Sequence, residues 1–250
     1  MPNIYRQARY LHRMCVTKAR LFLSDHRLPD PETVYWIDPK RVVYYTNYRR
    51  IDRQLFEKGA AERVRRQAFR EQVFDRYGDK GKIIGGDWDL SNYRFSDLAV
   101  YEAIELRMRE NIEWKETSFF RIVLARIQAG ERLWRCSNKE DFVERCRYID
   151  RLIDSIKEVG YRLNHEILIK GDDPSSLAKH PVVSDEITVN IGRDGAYLFQ
   201  DGRHRLAVAQ ILGLKKVPVK ILVRHASWQK LRDYSGPQAL WRSPRDQESL

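Results

Sequence analysis

Asp201-Gly202-Arg203-His204-Arg205 places a carboxylate, a glycine, two guanidinium groups and an imidazole in five consecutive residues. The apolar run that follows, Leu206 to Leu212, reads as a short helix that stops at Gly213. A helix N-terminus presents unpaired N–H groups and roughly half a positive charge, and a glycine lets the backbone come close to a ligand. Such a turn favours an anion, above all phosphate. Gly202, Arg203, His204 and Arg205 are therefore the candidate phosphate-binding residues, with Asp201 beside them. His225, at the end of the next strand, joins them as a phosphate ligand or a proton shuttle. The plainer reading is an exposed helix start that Asp201 caps, with solvated arginines and His225 on the surface.

A second stretch, Lys82 to Leu90, runs two apolar residues into Gly85-Gly86 and then sets Asp87 and Asp89 on either side of Trp88. Paired aspartates near a phosphate serve phosphoryl transfer by holding Mg²⁺ or by orienting a hydroxyl nucleophile. Asp87, Asp89 and His204 are accordingly candidate catalytic residues, with Asp87 and Asp201 the candidate metal ligands and Glu116 a further candidate general base. The alternatives are a Gly-Gly turn with Asp87 as a cap and Trp88 as a core plug, and a Glu116 that complements a helix dipole. The two stretches form one site only if the fold brings them together.

Several elements must do that positioning. Ile187, Val189 and Ile191 alternate with Thr188 and Asn190 at the period of a half-buried strand. Gly192-Arg193-Asp194-Gly195 is hairpin-turn chemistry, Ala196 to Gln200 the return strand, and Val217 to Val223 the strand leaving the helix. Val34 to Ile37 and Val42 to Thr46 read as strands around an Asp38-Pro39 turn, and Arg53 to Tyr77 as a charged helix. From about 96 to 165 the chain reads as a helical insertion. Ser96 is positioned to cap Asp97 to Met108, and Thr117 to start a helix carrying Phe119, Phe120, Val123, Leu124 and Ile127. Ser137-Asn-Lys-Glu140 is a capping box before Phe142, Cys146, Ile149, Ile153 and Ile156, spaced as a core stripe. Trp114 and the Trp134-Arg135-Cys136 segment lie at helix ends, from which side chains can point back at the sheet.

The domain organisation expected is a basic N-terminal helical extension over 1–33, a domain over 34–229 and a polar tail over 230–250. The net charge is +11, and residues 1 to 80 hold 18 Lys+Arg against 10 Asp+Glu. That suggests nucleic acid, an anionic membrane surface met peripherally, or a phosphorylated substrate as partner. The amphipathic basic helix over 3–24 fits the first two, and fits equally a helix docked on its own domain. Three cysteines without C-x-x-C spacing argue against a disulfide framework or a zinc site and for a reducing, cytoplasmic setting. No run is long and apolar enough to span a membrane. P-loop, H-E-x-x-H, G-x-S-x-G, RNP, zinc-finger and helix-turn-helix signatures are absent.

The stretch Glu186 to His225 resembles the ParB/sulfiredoxin superfamily, in which a strand-turn-helix with a Gly-x-x-Arg or Gly-x-His-Arg core holds nucleotide phosphates. Asp201 to Arg205 is most similar to the Asp-Gly-x-His-Arg turn of its free-serine kinases. The sulfiredoxin cysteine would fall where Arg203 stands, so sulfinic acid repair is not implied. The resemblance implies an α+β fold with a mixed sheet, here carrying a helical insertion that shapes a substrate pocket. It also implies an ATP-dependent phosphotransferase acting on a small hydroxyl-bearing substrate with Mg²⁺. The alternative that the same resemblance carries is a ParB-like nucleotide-binding DNA-binding protein, or a nuclease.

Overall fold

The structure, a computed structural model, describes residues 15, 30, 32–46, 74, 79–90, 93–134, 136–163 and 186–235. Except for Cys15 and Phe74, the basic helix expected over 3–24 and the charged helix over 53–77 lie outside the described residues. The protein is mixed α+β. Six strands form one mixed sheet: β1 (Tyr35–Ile37), β2 (Val42–Tyr45), β3 (Lys82–Ile84), β4 (Ile187–Ile191), β5 (Tyr197–Asp201) and β6 (Val217–His225). Their order is β1-β6-β4-β5-β2. β1 runs antiparallel along the first half of β6, and β3 runs parallel along its last residues, Val223 to His225.

β4 sits between β5, its antiparallel hairpin partner, and β6, its parallel neighbour. Alternation alone predicts a solvated face for Thr188 and Asn190, yet all five residues of β4 are buried. A central strand in a sheet covered on both sides has no wet face. Ile187, Val189 and Ile191 join the main core, while Leu198 and Leu222 pack with Phe74 and Trp88 in a second cluster. Asn190 is fully buried because its amide is used. Nδ2 donates to Thr46 Oγ1 at 2.6 Å and Gln200 Oε1 at 3.0 Å, and Oδ1 accepts from Val223 N at 3.3 Å. The β4–β6 register shifts between Val189 and Ile191, so the amide substitutes for ladder partners there.

The helical insertion consists of α1 (Ala99–Arg109), α2 (Ser118–Gln128) and α3 (Lys139–Val159). Thr117 caps α2 as expected, its hydroxyl accepting from Phe120 N at 3.1 Å. Two caps differ from expectation. Ser96 lies in a 3-10 turn, Phe95–Asp97, and α1 starts after Leu98 without a side-chain cap. The N-cap of α3 is Asn138, whose Oδ1 accepts from Asp141 N at 2.7 Å while Asp141 Oδ2 accepts from Ser137 N at 3.0 Å. An Asn side chain fills the N-cap role as well as Ser, which moves the box by one residue. The stripe Phe142, Cys146, Ile149, Ile153 and Ile156 is buried throughout. α4 (Arg203–Ile211) bridges insert and sheet, packing on α1, α3 and β4. Gln210 Nε2 ties it to Pro39 O at 2.7 Å and Val42 O at 3.0 Å. α5 (Ala226–Ser235) continues β6 without a loop, so helix crosses the boundary expected at 229/230.

Candidate functional site

α4 begins at Arg203 and not at Leu206, so Arg203, His204 and Arg205 form its first turn. The turn before it is one residue, Gly202, which is the N-cap at φ 93°. A Cβ there would stand 2.9 Å from the Ile187 Cα, so space and backbone angle both demand glycine. No side chain caps this helix and no acidic residue lies in its first turn. Asp201 Oδ1 instead accepts from Gly202 N at 2.9 Å. The far end closes in a Schellman arrangement, Leu214 N donating to Ala209 O and Gly213 N to Gln210 O.

The insertion walls this helix start. The Trp134 indole lies 4.9 Å from the His204 ring and 4.8 Å from Phe119, and the Arg203 guanidinium stands 5.2 Å from it. Arg145, from α3, lies 4.8 Å over Tyr148 and is close enough to act on His204. Arg205 meets the buried Glu186 carboxylate at 3.4 Å, and Tyr161 donates to the same oxygen at 3.3 Å. Burial, then the charges of Arg145, Arg203 and Arg205, hold the His204 pKa well below 6.5. His204 is therefore neutral near pH 7, and its Nε2 is sealed from solvent with no partner among the described residues. The charges of three guanidinium groups, Arg145, Arg203 and Arg205, are thus all felt at the His204 imidazole.

Asp87, Asp89 and His225 are elsewhere. The register pairs Thr188 with Asp201 at one end of the β4–β5 hairpin and Ile191 with Tyr197 at the other. Asp89 lies at the second end, where its Cβ and Oδ2 stand within 3.4 Å of a Cβ built on Gly192. Five residues of strand, roughly 15 Å, separate it from Gly202. Asp89 accepts from Arg193 N at 2.6 Å and from Arg193 Nη2 at 2.8 Å, and Asp87 meets the same Nη2 at 2.7 Å. Burial raises the Asp89 pKa, but the side-chain and backbone hydrogen bonds of Arg193, with His225 nearby, outweigh it and leave it lowered. His225 Nδ1 accepts from Ser227 N at 3.1 Å, so Nε2 carries the proton and donates to Gly86 O at 2.8 Å. Trp88 packs on it with ring centroids 5.6 Å apart. These residues pin β3, the hairpin and α5 together.

Glu116 also serves its own turn, its Oε2 accepting from Glu113 N at 3.2 Å. The expected site thus divides in two. Asp201 to Arg205 lie together at the start of α4, whereas Asp87, Asp89 and His225 lie at the other end of the hairpin. Asp87 and Asp201 stand at opposite ends of the hairpin and cannot share one Mg²⁺; among the described residues no group of three or more His, Cys, Asp or Glu side chains is arranged to hold a metal. Burial raises the Cys136 thiol and pushes Cys146 up to about 12, so both stay protonated at neutral pH. Arg145, Glu186 and Arg193 were not legible as functional neighbours, because each needs a partner more than a turn away in sequence. Nor was Arg224, 1% exposed, whose burial lowers its pKa to about 10 beside Tyr35 and Arg232.

Among the described residues, no helix is long and apolar enough to cross a membrane. No protein-family model, curated protein or solved structure matches the chain. The functional reading therefore rests on the pocket itself.

Proposed function

We propose that the protein binds the phosphates of a nucleotide at the start of α4 and uses it as an ATP-dependent phosphotransferase on a small hydroxyl-bearing substrate. The observation that carries the binding step is the convergence of Arg145, Arg203 and Arg205 on His204 at a helix start with no side-chain cap. The β5–α4–β6 order, with a glycine N-cap and a basic first turn, is also what the likeness to the ParB/sulfiredoxin superfamily rests on, and we take the fold to be of that type. For the transfer step the carboxylate at the pocket is Asp201. Asp87 and Asp89 are engaged by Arg193 15 Å away, on the order of a strand length. No step is assigned to Mg²⁺, since Asp87 and Asp201 do not form a joint site.

Calorimetric titration of the full chain with ATP, CTP and GTP, with and without duplex DNA, tests this. The expected result is nucleotide binding that is indifferent to DNA and weakened about tenfold in Arg203→Ala, the loss of one charge-assisted contact. Binding of DNA with a steep salt dependence and no response to Arg203→Ala would replace it with the nucleic-acid reading, which the charge of +11 favours.

A further inference from the structure

We propose that Trp134 is a ligand-binding residue of this pocket, its indole N–H donating to an oxygen of the bound phosphate. The inference rests on the reading of the α4 start as a phosphate site.

Trp134 belongs to the insertion, between α2 and α3, outside the strand-turn-helix. Its φ is 55°, a left-handed conformation that is a genuine outlier for a bulky residue. Such strain persists only where surrounding structure over-determines it. Here Leu133 and Cys136 bond each other through both backbone groups, at 3.2 and 2.7 Å, and close the turn around Trp134. The ring is then wedged among Phe119, His204 and Arg203 at centroid distances of 4.8, 4.9 and 5.2 Å.

That nitrogen has no partner. Trp134 is 8% exposed, and its Nε1 is buried without an acceptor among the described residues. An indole N–H is only a donor, and a buried donor left unmade is costly. Arg203, stacked on the ring, offers donors as well, so neither it nor the other two guanidinium groups can satisfy Nε1. The complement that Nε1 calls for is an acceptor oxygen. A phosphate seated on the first turn of α4 supplies one, and the neighbouring His204 Nε2, also sealed and unpartnered, offers a second contact to the same group. In this arrangement the insertion closes the phosphate site from the side opposite the helix start.

Trp134→Phe keeps an aromatic ring against Phe119, His204 and Arg203 and removes only the donor and part of the bicycle. Titration of ATP and of inorganic tripolyphosphate into the full-length variant is expected to show both weakened by about the same factor, roughly tenfold. Equal losses for the two probes place the contact on phosphate and not on the base. If Arg203→Ala loses affinity while Trp134→Phe binds both probes as the parent does, the role of Trp134 is overturned and the phosphate site stands. If the parent chain binds neither probe, the phosphate reading itself fails and takes this inference with it. Should the variant fold poorly, the parent answers the question. The protein has six tryptophans, and the indole ¹⁵N–¹H resonance of Trp134, assigned by substituting the other five, is expected to move downfield and exchange more slowly on saturation with tripolyphosphate. A resonance that ignores bound tripolyphosphate overturns the proposal.

Discussion

The two ends of the β4–β5 hairpin use arginine in opposite ways. At the Gly192 end one guanidinium, Arg193, is held by two carboxylates, and Asp89, 2% exposed in its side chain, is saturated by it. At the Gly202 end three guanidinium groups surround a neutral histidine, with Glu186 committed to Arg205 and no acid in the first turn of α4. Charge matched inside the protein locks elements together. Guanidinium groups gathered at a helix start can be engaged by an anionic ligand. The first end is expected to matter for stability and the second for binding.

The largest effect should come from breaking the matched end. Asp89→Ala removes a buried carboxylate that serves both a backbone N–H and a guanidinium, and should destabilise the fold by about 3 kcal/mol. Denaturant unfolding measures it, and nucleotide affinity of the folded fraction should not change. A double-mutant cycle with Arg193→Ala should recover much of that loss as coupling. At the other end Gly202→Ala must take a positive φ and place a methyl group against the Ile187 backbone, which should destabilise by about 2–3 kcal/mol and weaken nucleotide binding as well. Arg203→Ala should act in the reverse sense, costing only about 1 kcal/mol of stability through its contact with Trp134 while lowering affinity. A stability loss in Arg203→Ala as large as that in Asp89→Ala would erase the distinction between the ends.

Arg224 sharpens the comparison from within the matched end. It is buried, among the described residues its Nε and Nη1 have no partner, and the groups that act on it are Tyr35, partly through a side-chain hydrogen bond, and Arg232. Replacing a buried charge by an apolar side chain of similar length removes its desolvation cost. Arg224→Met should therefore leave the denaturation midpoint unchanged or raise it. A marked loss would show that the guanidinium is balanced by an anion.

How much of this was readable beforehand depends on how local each interaction is. The α3 stripe from Phe142 to Ile156 and the Thr117 cap follow from spacing within one helix, and the structure keeps both. Gly202 was readable as a turn because the basic residues after it open a helix, while the close approach of Ile187 that also demands glycine was not. The larger failures concern partners distant in sequence. Asp87 and Asp89 have the composition of a catalytic pair, but Arg193 claims them across more than 100 residues of chain, and only the strand register shows which end of the sheet they occupy. Thr188 and Asn190 looked solvated because alternation does not say whether a second layer covers the sheet. The capping box slipped by one residue because Ser137 and Asn138 are both good N-caps.

Acidification should separate the two ends by pH. The folded state holds His204 neutral, its pKa pushed well below 6.5 by burial and by Arg145, Arg203 and Arg205. Above pH 6.5 neither folded nor unfolded chain protonates it, so it adds no pH dependence. Below pH 6.5 the unfolded chain takes up a proton that the folded chain refuses, so stability falls with pH until the depressed folded pKa is reached. Asp89 works in a lower window. Its folded pKa lies below 3.8, so its contribution is complete above that value and is lost as pH falls through the folded pKa. His204→Gln should flatten the stability profile just below pH 6.5 by up to one proton and leave the decline below 3.8 intact. Bound tripolyphosphate should also flatten the upper window in the parent chain, because an anion among the three arginines raises the His204 pKa toward its unfolded value. A profile in which neither the variant nor the anion moves the upper window would mean that His204 is not desolvated among those arginines, and the contrast between the two ends would then rest on Arg203 alone.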